Sequence, residues 1–312
     1  MEFERLDNPL NISDSSIVRF KEMGNILEIQ YCEHRNNTCY IQKIDNENYL
    51  DLRTGEVCEF KHRENRSQSM KELKKSLNHG RDIINANCTD IKNCRFLTVT
   101  YRQRDNYDIE PIPMTDTKRL YKDLDCFYKN LKNNYGKDIR IMTFKEPQAS
   151  GSWHAHIIVV FNHIAPFMPN DHIAKLWGQG FVRVERIKDS VDNVGAYLTA
   201  YLCDVELTEF QKEFPNAKFA EIKEVEIEND NGEKIKKKYV KGARLKYYPP
   251  YFNPFTCTRN CVKPVVSNMT YKTAKEKASA GTLTFTKTVC LKDTDNDFQN
   301  TIQTEYYNTK RK

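Results

Sequence analysis

The chain is 312 residues long, 39% of them apolar and 11% aromatic, with 17 Tyr and 16 Phe. That is enough apolar material for a core of ordinary size, which excludes wholesale disorder. The formal net charge of +6 leans toward an anionic partner. No apolar run approaches the ~18 residues of a membrane span, and the opening MEFERLDNPLNISDSS carries acids where a signal core would be apolar. A soluble, cytoplasmic protein with no membrane partner is expected. Ten cysteines are scattered along the chain with no CxxC pair. Reduced thiols are therefore the default, and the paired spacings of zinc knuckles are missing.

In chain order, residues 24–60 read as short strands between turns. A basic amphipathic helix is expected from about Ser67 to Ala86. Met70, Leu73, Leu77 and Ile84 recur at helical spacing, and Lys71, Lys74, Lys75 and Arg81 lie on its other faces. Those cations form either a solvated face or a phosphate-contacting one. RFLTVTY, from Arg95, is a strand. The next helix runs from about Thr115 to Asn134, with Leu120, Leu124, Phe127 and Leu131 as its apolar stripe and Gly136 past its end. IRIMTF and WHAHIIVVF are strands joined by the turn EPQASGS. A short helix from Asp171 to Trp177, the strand FVRVERI, and a helix from Ser190 to about Cys203 follow.

The order β-α-β-β-α-β plus a helix predicts an α+β fold. Its core is a ferredoxin-like split βαβ arrangement, an antiparallel sheet with helices on one face. Beyond Leu207 a charge-dense segment reads as a hairpin around Asn231-Gly232. Strand-like pieces such as GTLTFTKTV then lead to the basic Lys310-Arg311-Lys312. No GxxxxGK[ST] loop is present, so the chain has no recognisable ATPase motor.

Chemistry concentrates in WHAHIIVVF. His154 and His156 are two apart on a strand, so both imidazoles face one side and suit a divalent metal. Glu146 ends the preceding strand and is expected across the hairpin from His154. Two imidazoles and a carboxylate suit Mn²⁺ or Mg²⁺ with positions left for substrate oxygens. Further on, Tyr197 and Tyr201 are four apart, which puts both hydroxyls on one helical face. Metal and tyrosine fit one mechanism: phenolate attack on a DNA phosphodiester, leaving a 5′-phosphotyrosine and a free 3′-OH.

FLTVTY, Glu146 with GSWHAHIIVVF, LWGQGFVRVERI and GAYLTAYL, in that order, resemble the successive motifs of the HUH endonucleases. Among these they resemble the rolling-circle replication initiators of plasmids, phages and integrative elements. The resemblance covers about Arg95 to Leu202. It implies His154 and His156 as metal ligands, Glu146 as the third, Tyr197 as the nucleophile, and Tyr201 as the second tyrosine of the two-tyrosine members. Single-stranded origin DNA, a host helicase and a DNA polymerase are the implied partners. There is a departure: Ala200 stands where many relatives carry a lysine, which leaves its role to Arg183, Arg186 or Lys188.

The implied organisation has a strand-rich region over 1–65, a basic helical connector over 66–92, an HUH nuclease domain over 93–205, and a strand-rich C-terminal region over 206–312. Two other readings stand beside it. One is a conjugative relaxase or HUH transposase. The other is a non-enzymatic single-stranded nucleic-acid binder, because split βαβ cores also serve RNA recognition.

Overall fold

A computed structural model describes residues 2–35, 40–60, 70–102, 113–148, 150–188, 190–199, 205–206, 222–228, 234–240, 244, 247–293 and 298–311. The chain divides into two compact units, residues 65–263 and residues 1–64 with 264–312.

The first unit holds α1 (Met70–Asn87), β1 (Cys94–Thr100), α2 (Thr117–Tyr135), β2 (Arg140–Pro147), β3 (Trp153–Val160), α3 (Asn170–Trp177), β4 (Val182–Glu185), α4 (Val194–Thr199) and β5 (Phe255–Cys257). The sheet order is β4-β1-β3-β2-β5, and every neighbouring pair is antiparallel. β3 lies between β1 and β2, which is the split βαβ order the sequence predicts.

The local reasons are the expected ones. Asp116 caps α2 by accepting from the backbone N–H groups of Lys118 and Arg119, and Gly136 ends the helix at φ 117. Leu120, Leu124, Phe127 and Leu131 are all buried, each stabilising the fold by roughly 1.5–3 kcal/mol. Gly178 ends α3 in the left-handed region, at φ 70. The last helix starts later than expected. Asn193, not Ser190, supplies the cap, its Oδ1 accepting from Ala196 N at 3.0 Å, and Val194 is the first helical residue.

The expectation of helices on one face only does not hold. On one face, Tyr128 of α2 donates to Thr143 Oγ1 at 2.6 Å, and α3 packs on α2 through Trp177 and Phe127. The other face carries Phe144 and His156, which are cross-strand partners. Here α1 covers the sheet. A Cβ on Gly80 would stand 2.4 Å from Phe144 Cζ and 2.8 Å from Phe255 Cδ2, so only glycine permits this approach. Ile83 and Ile84 are buried in the same core. The basic helix is thus part of the fold, because an apolar patch on the histidine face has to be covered.

The charged hairpin forms as the sequence predicts. Ile222–Glu228 pairs antiparallel with Lys234–Val240, setting Glu224, Glu226 and Glu228 against Lys238, Lys236 and Lys234. Its turn at Asn231-Gly232 lies outside the described residues.

In the second unit six strands form one antiparallel sheet. Their order is Glu2–Leu6, Thr282–Asp293, Phe298–Asn308, Ile26–Cys32, Ile17–Met23, Val265–Thr270. Helix α5 (Tyr271–Ala278) lays Ala274 and Ala278 on Val18, Phe20, Leu27, Ile29 and Tyr307. Beneath it Glu305 accepts from Tyr271 Oη at 2.8 Å and from Tyr307 Oη. No helix among the described residues is long and apolar enough to cross a membrane.

Candidate metal centre

Strand alternation and hairpin register together build the centre. β2 and β3 pair so that Glu146 lies opposite His154, and β1 pairs with β3 so that Thr98 lies opposite His156. Cross-strand partners share a face. His154 Nε2 and His156 Nε2 stand 3.1 Å apart. Glu146 Oε2 lies 3.3 Å from the first and 3.6 Å from the second. Among the described residues these three form one group able to hold a metal ion, their ligand atoms all within 4.8 Å.

The spacing suits an ion. Ligands held at ~2.1 Å from one centre are separated from each other by about 3–3.5 Å. Two imidazoles and one carboxylate leave further positions for oxygen ligands.

The surroundings orient each ligand. Thr98 Oγ1 lies 3.2 Å from His156 Nδ1. As the acceptor it fixes the proton there and turns the Nε2 lone pair to the cluster. The Phe96 ring stacks on His156 at 5.6 Å between centroids. Glu146 is 2% exposed, and its other oxygen, Oε1, meets Arg244 Nη1 at 3.2 Å. Burial pushes the Glu146 carboxyl up. Hydrogen bonds from His154 and His156 and the charge of Arg244 outweigh it and hold the group well below the usual carboxylate range. Burial lowers His154, with His156 and Arg244 pushing the same way and Glu146 opposing. The carboxylate is therefore ionised and His154 neutral, which are the ligating forms.

The other predicted residues fall into distinct places. Arg183 pairs with Thr98 across the sheet, so Arg183, Thr98 and His156 form one cross-strand row on the same face. Its guanidinium also meets Glu185 Oε1 at 2.9 Å. Arg186 and Lys188 are exposed just after β4. Lys75 is exposed and lines a depression with His79, Asn253 and Phe255. Lys71 and Lys74 lie on α1, their side chains outside the described residues.

Tyr197 is 47% exposed on α4, whose Val194 joins the core and whose Leu198 packs against it. The helix is anchored to α1: Gly195 N donates to the buried Asn85 Oδ1 at 2.8 Å. A Cβ at Gly195 would stand 2.4 Å from the Arg81 carbonyl oxygen. Tyr201 lies outside the described residues, as does Ala200.

Sequence reasoning missed Arg244 and Asn85. Arg244 is 98 residues from Glu146, and no periodicity connects them. Thr98 was within reach, since strand parity puts it opposite His156 once β1 and β3 are paired.

The family model for replication-associated proteins of the ORF2 type matches residues 94–206. No curated protein and no solved structure matches the chain.

Proposed function

Residues 94–206 belong to the ORF2-type replication-associated protein family, and on that footing we propose that the chain nicks and rejoins single-stranded origin DNA to start rolling-circle replication. The observation that carries this reading is the convergence of Glu146, His154 and His156 inside the matched segment.

These three side chains would hold a divalent cation, Mn²⁺ or Mg²⁺, and that ion, when bound, polarises the scissile phosphate. Tyr197 provides the nucleophile. Its phenolic oxygen attacks phosphorus and gives up its proton. The bond from phosphorus to the 3′ oxygen breaks, and that oxygen takes up a proton. The DNA is left as a 5′-phosphotyrosine and a 3′-OH that primes a host polymerase. Attack by a 3′-OH on the phosphotyrosine reverses the step, so resealing needs no ATP.

Arg183, in the row of His156, stands in for the lysine absent at position 200 and meets the phosphate backbone. Arg186 and Lys188 extend that contact, as do Lys71, Lys74 and Lys75 on α1. Tyr201 is assigned the second strand transfer, at termination. Unwinding falls to a host helicase, because the chain carries no recognisable motor of its own.

The test is cleavage of single-stranded DNA carrying the element's own origin region. The expected result is a covalent protein–DNA adduct that forms with Mn²⁺, fails in EDTA, and maps by mass spectrometry to Tyr197. Full cleavage in excess EDTA, or an adduct on Tyr201 alone, would overturn the assignment.

A further inference from the structure

The six-stranded sheet has one face beneath α5, while the opposite face carries no helix among the described residues. Register decides which side chains lie there. Leu27 and Ile29 are under α5, so Glu28 and Gln30, which alternate with them, point the other way. Following Gln30 across the sheet gives a row of Lys287, Thr304, Gln30, Arg19 and Asn268. The adjacent row is Phe285, Tyr306, Glu28, Lys21 and Val266. At ~4.8 Å between strands, each row is about 19 Å long.

The chemistry of this face is one-sided. Glu28 is its single carboxylate in the two rows, and it is 2% exposed, held by Arg19 at 3.1 Å and Lys21 at 3.2 Å. Arg35 adds a cation at one end, 3.3 Å from Asn268 Oδ1. Four cations therefore face one compensated acid. At the other end Phe285 is 46% exposed, its ring 6.2 Å from that of Tyr306.

We infer that this face binds single-stranded DNA, with phosphates on Arg19 and Lys287 and bases on the Phe285–Tyr306 pair. Stacking on rings beside a cationic track is how sequence-tolerant single-strand binding works. A duplex buries its base faces and leaves the rings nothing to stack on. An acidic protein segment would use the cations and leave the rings idle. This surface lies outside the 94–206 segment and is independent of the metal and tyrosine chemistry.

The experiment uses the full chain and fluorescein-labelled dT20 in EDTA, where no metal-dependent cleavage intervenes. The double variant Phe285→Ala/Lys287→Gln should bind about tenfold more weakly, as expected for one lost stacked base. Its slope of log affinity against log salt should fall by about 0.7 for the lost charge. The far-UV circular dichroism should match the parent. With 5-iodouracil in the oligonucleotide, photocrosslinks should map to Phe285 or Tyr306. His154→Ala/His156→Ala should bind dT20 as the parent does, so a failed metal reading leaves this one standing. An affinity within twofold of the parent with an unchanged slope would overturn the inference. So would crosslinks confined to residues 65–263, or a defect seen only with a 20-bp duplex.

Discussion

Glu146 divides its two oxygens between two tasks. Oε2 faces both imidazoles, and Oε1 is held by Arg244. Replacing His154 or His156 with Ala should abolish Mn²⁺ binding by calorimetry and abolish nicking. Affinity for origin DNA should remain, because phosphate contacts dominate it. Glu146→Ala should weaken Mn²⁺ less completely, since two ligands persist, and an unaltered titration would remove it from the centre. Arg244→Gln keeps a donor to Oε1 but removes a cation near the ion. Unit charges ~4 Å apart interact by about 1 kcal/mol even at the dielectric of water, so this variant should bind Mn²⁺ roughly fivefold more tightly while nicking more slowly. Weaker Mn²⁺ binding would mean that orientation by the guanidinium outweighs its repulsion. The contrast also shows what sequence can carry. Two ligands two apart on a strand, and a third across a short turn, leave a local pattern. Arg244 arrives from a segment with no periodic relation to any of them.

At the scale of elements, α4 depends on α1. Gly195 has the Arg81 carbonyl against its Cα and Asn85 Oδ1 on its N–H. Gly195→Ala should therefore lift α4 from its seat. Adduct formation should drop at least tenfold with Mn²⁺ affinity unchanged, and equal nicking rates would show that α4 tolerates the shift. The helix on the histidine face was not legible because its amphipathic pattern says that it packs, not against which side of which sheet. α5 gives a pH-dependent counterpart. Burial raises the Glu305 carboxyl, but hydrogen bonds from Tyr307, Tyr271 and Gln303 and the charge of Lys275 bring its pKa below the ordinary 4.5. A carboxyl lowered on folding contributes stability above its unfolded value, and that contribution is lost as pH falls through the folded value. The Glu305→Gln variant should lose less stability than the parent between pH 5 and pH 3 in urea melts, whereas parallel curves would exclude the linkage.

At the scale of the molecule, the strand order across the second unit's sheet was invisible in sequence. Ile26–Cys32 reads as a strand by itself, but its pairing with Phe298–Asn308 joins segments some 270 residues apart and leaves no local mark. Phe298–Asn308 is an inner strand, bonded on both edges. A chain stopped after residue 297 should thus lose hydrogen-exchange protection over 17–32 and 282–293, yet still bind Mn²⁺ through residues 146–156. Retained protection over 17–32 would mean that those strands hold together without it. The same pairing sets an order of events during synthesis. Residues 65–263 have left the ribosome, with all their partners, before residues 298–308 exist, whereas the strands over 17–32 must wait for them. At ~5–20 residues per second, Ile26–Cys32 waits roughly 14–54 seconds with one edge open. A message cut short after the nuclease segment would yield a folded catalytic unit trailing unpaired, aggregation-prone strands, so quality control would remove truncated copies before they reach DNA.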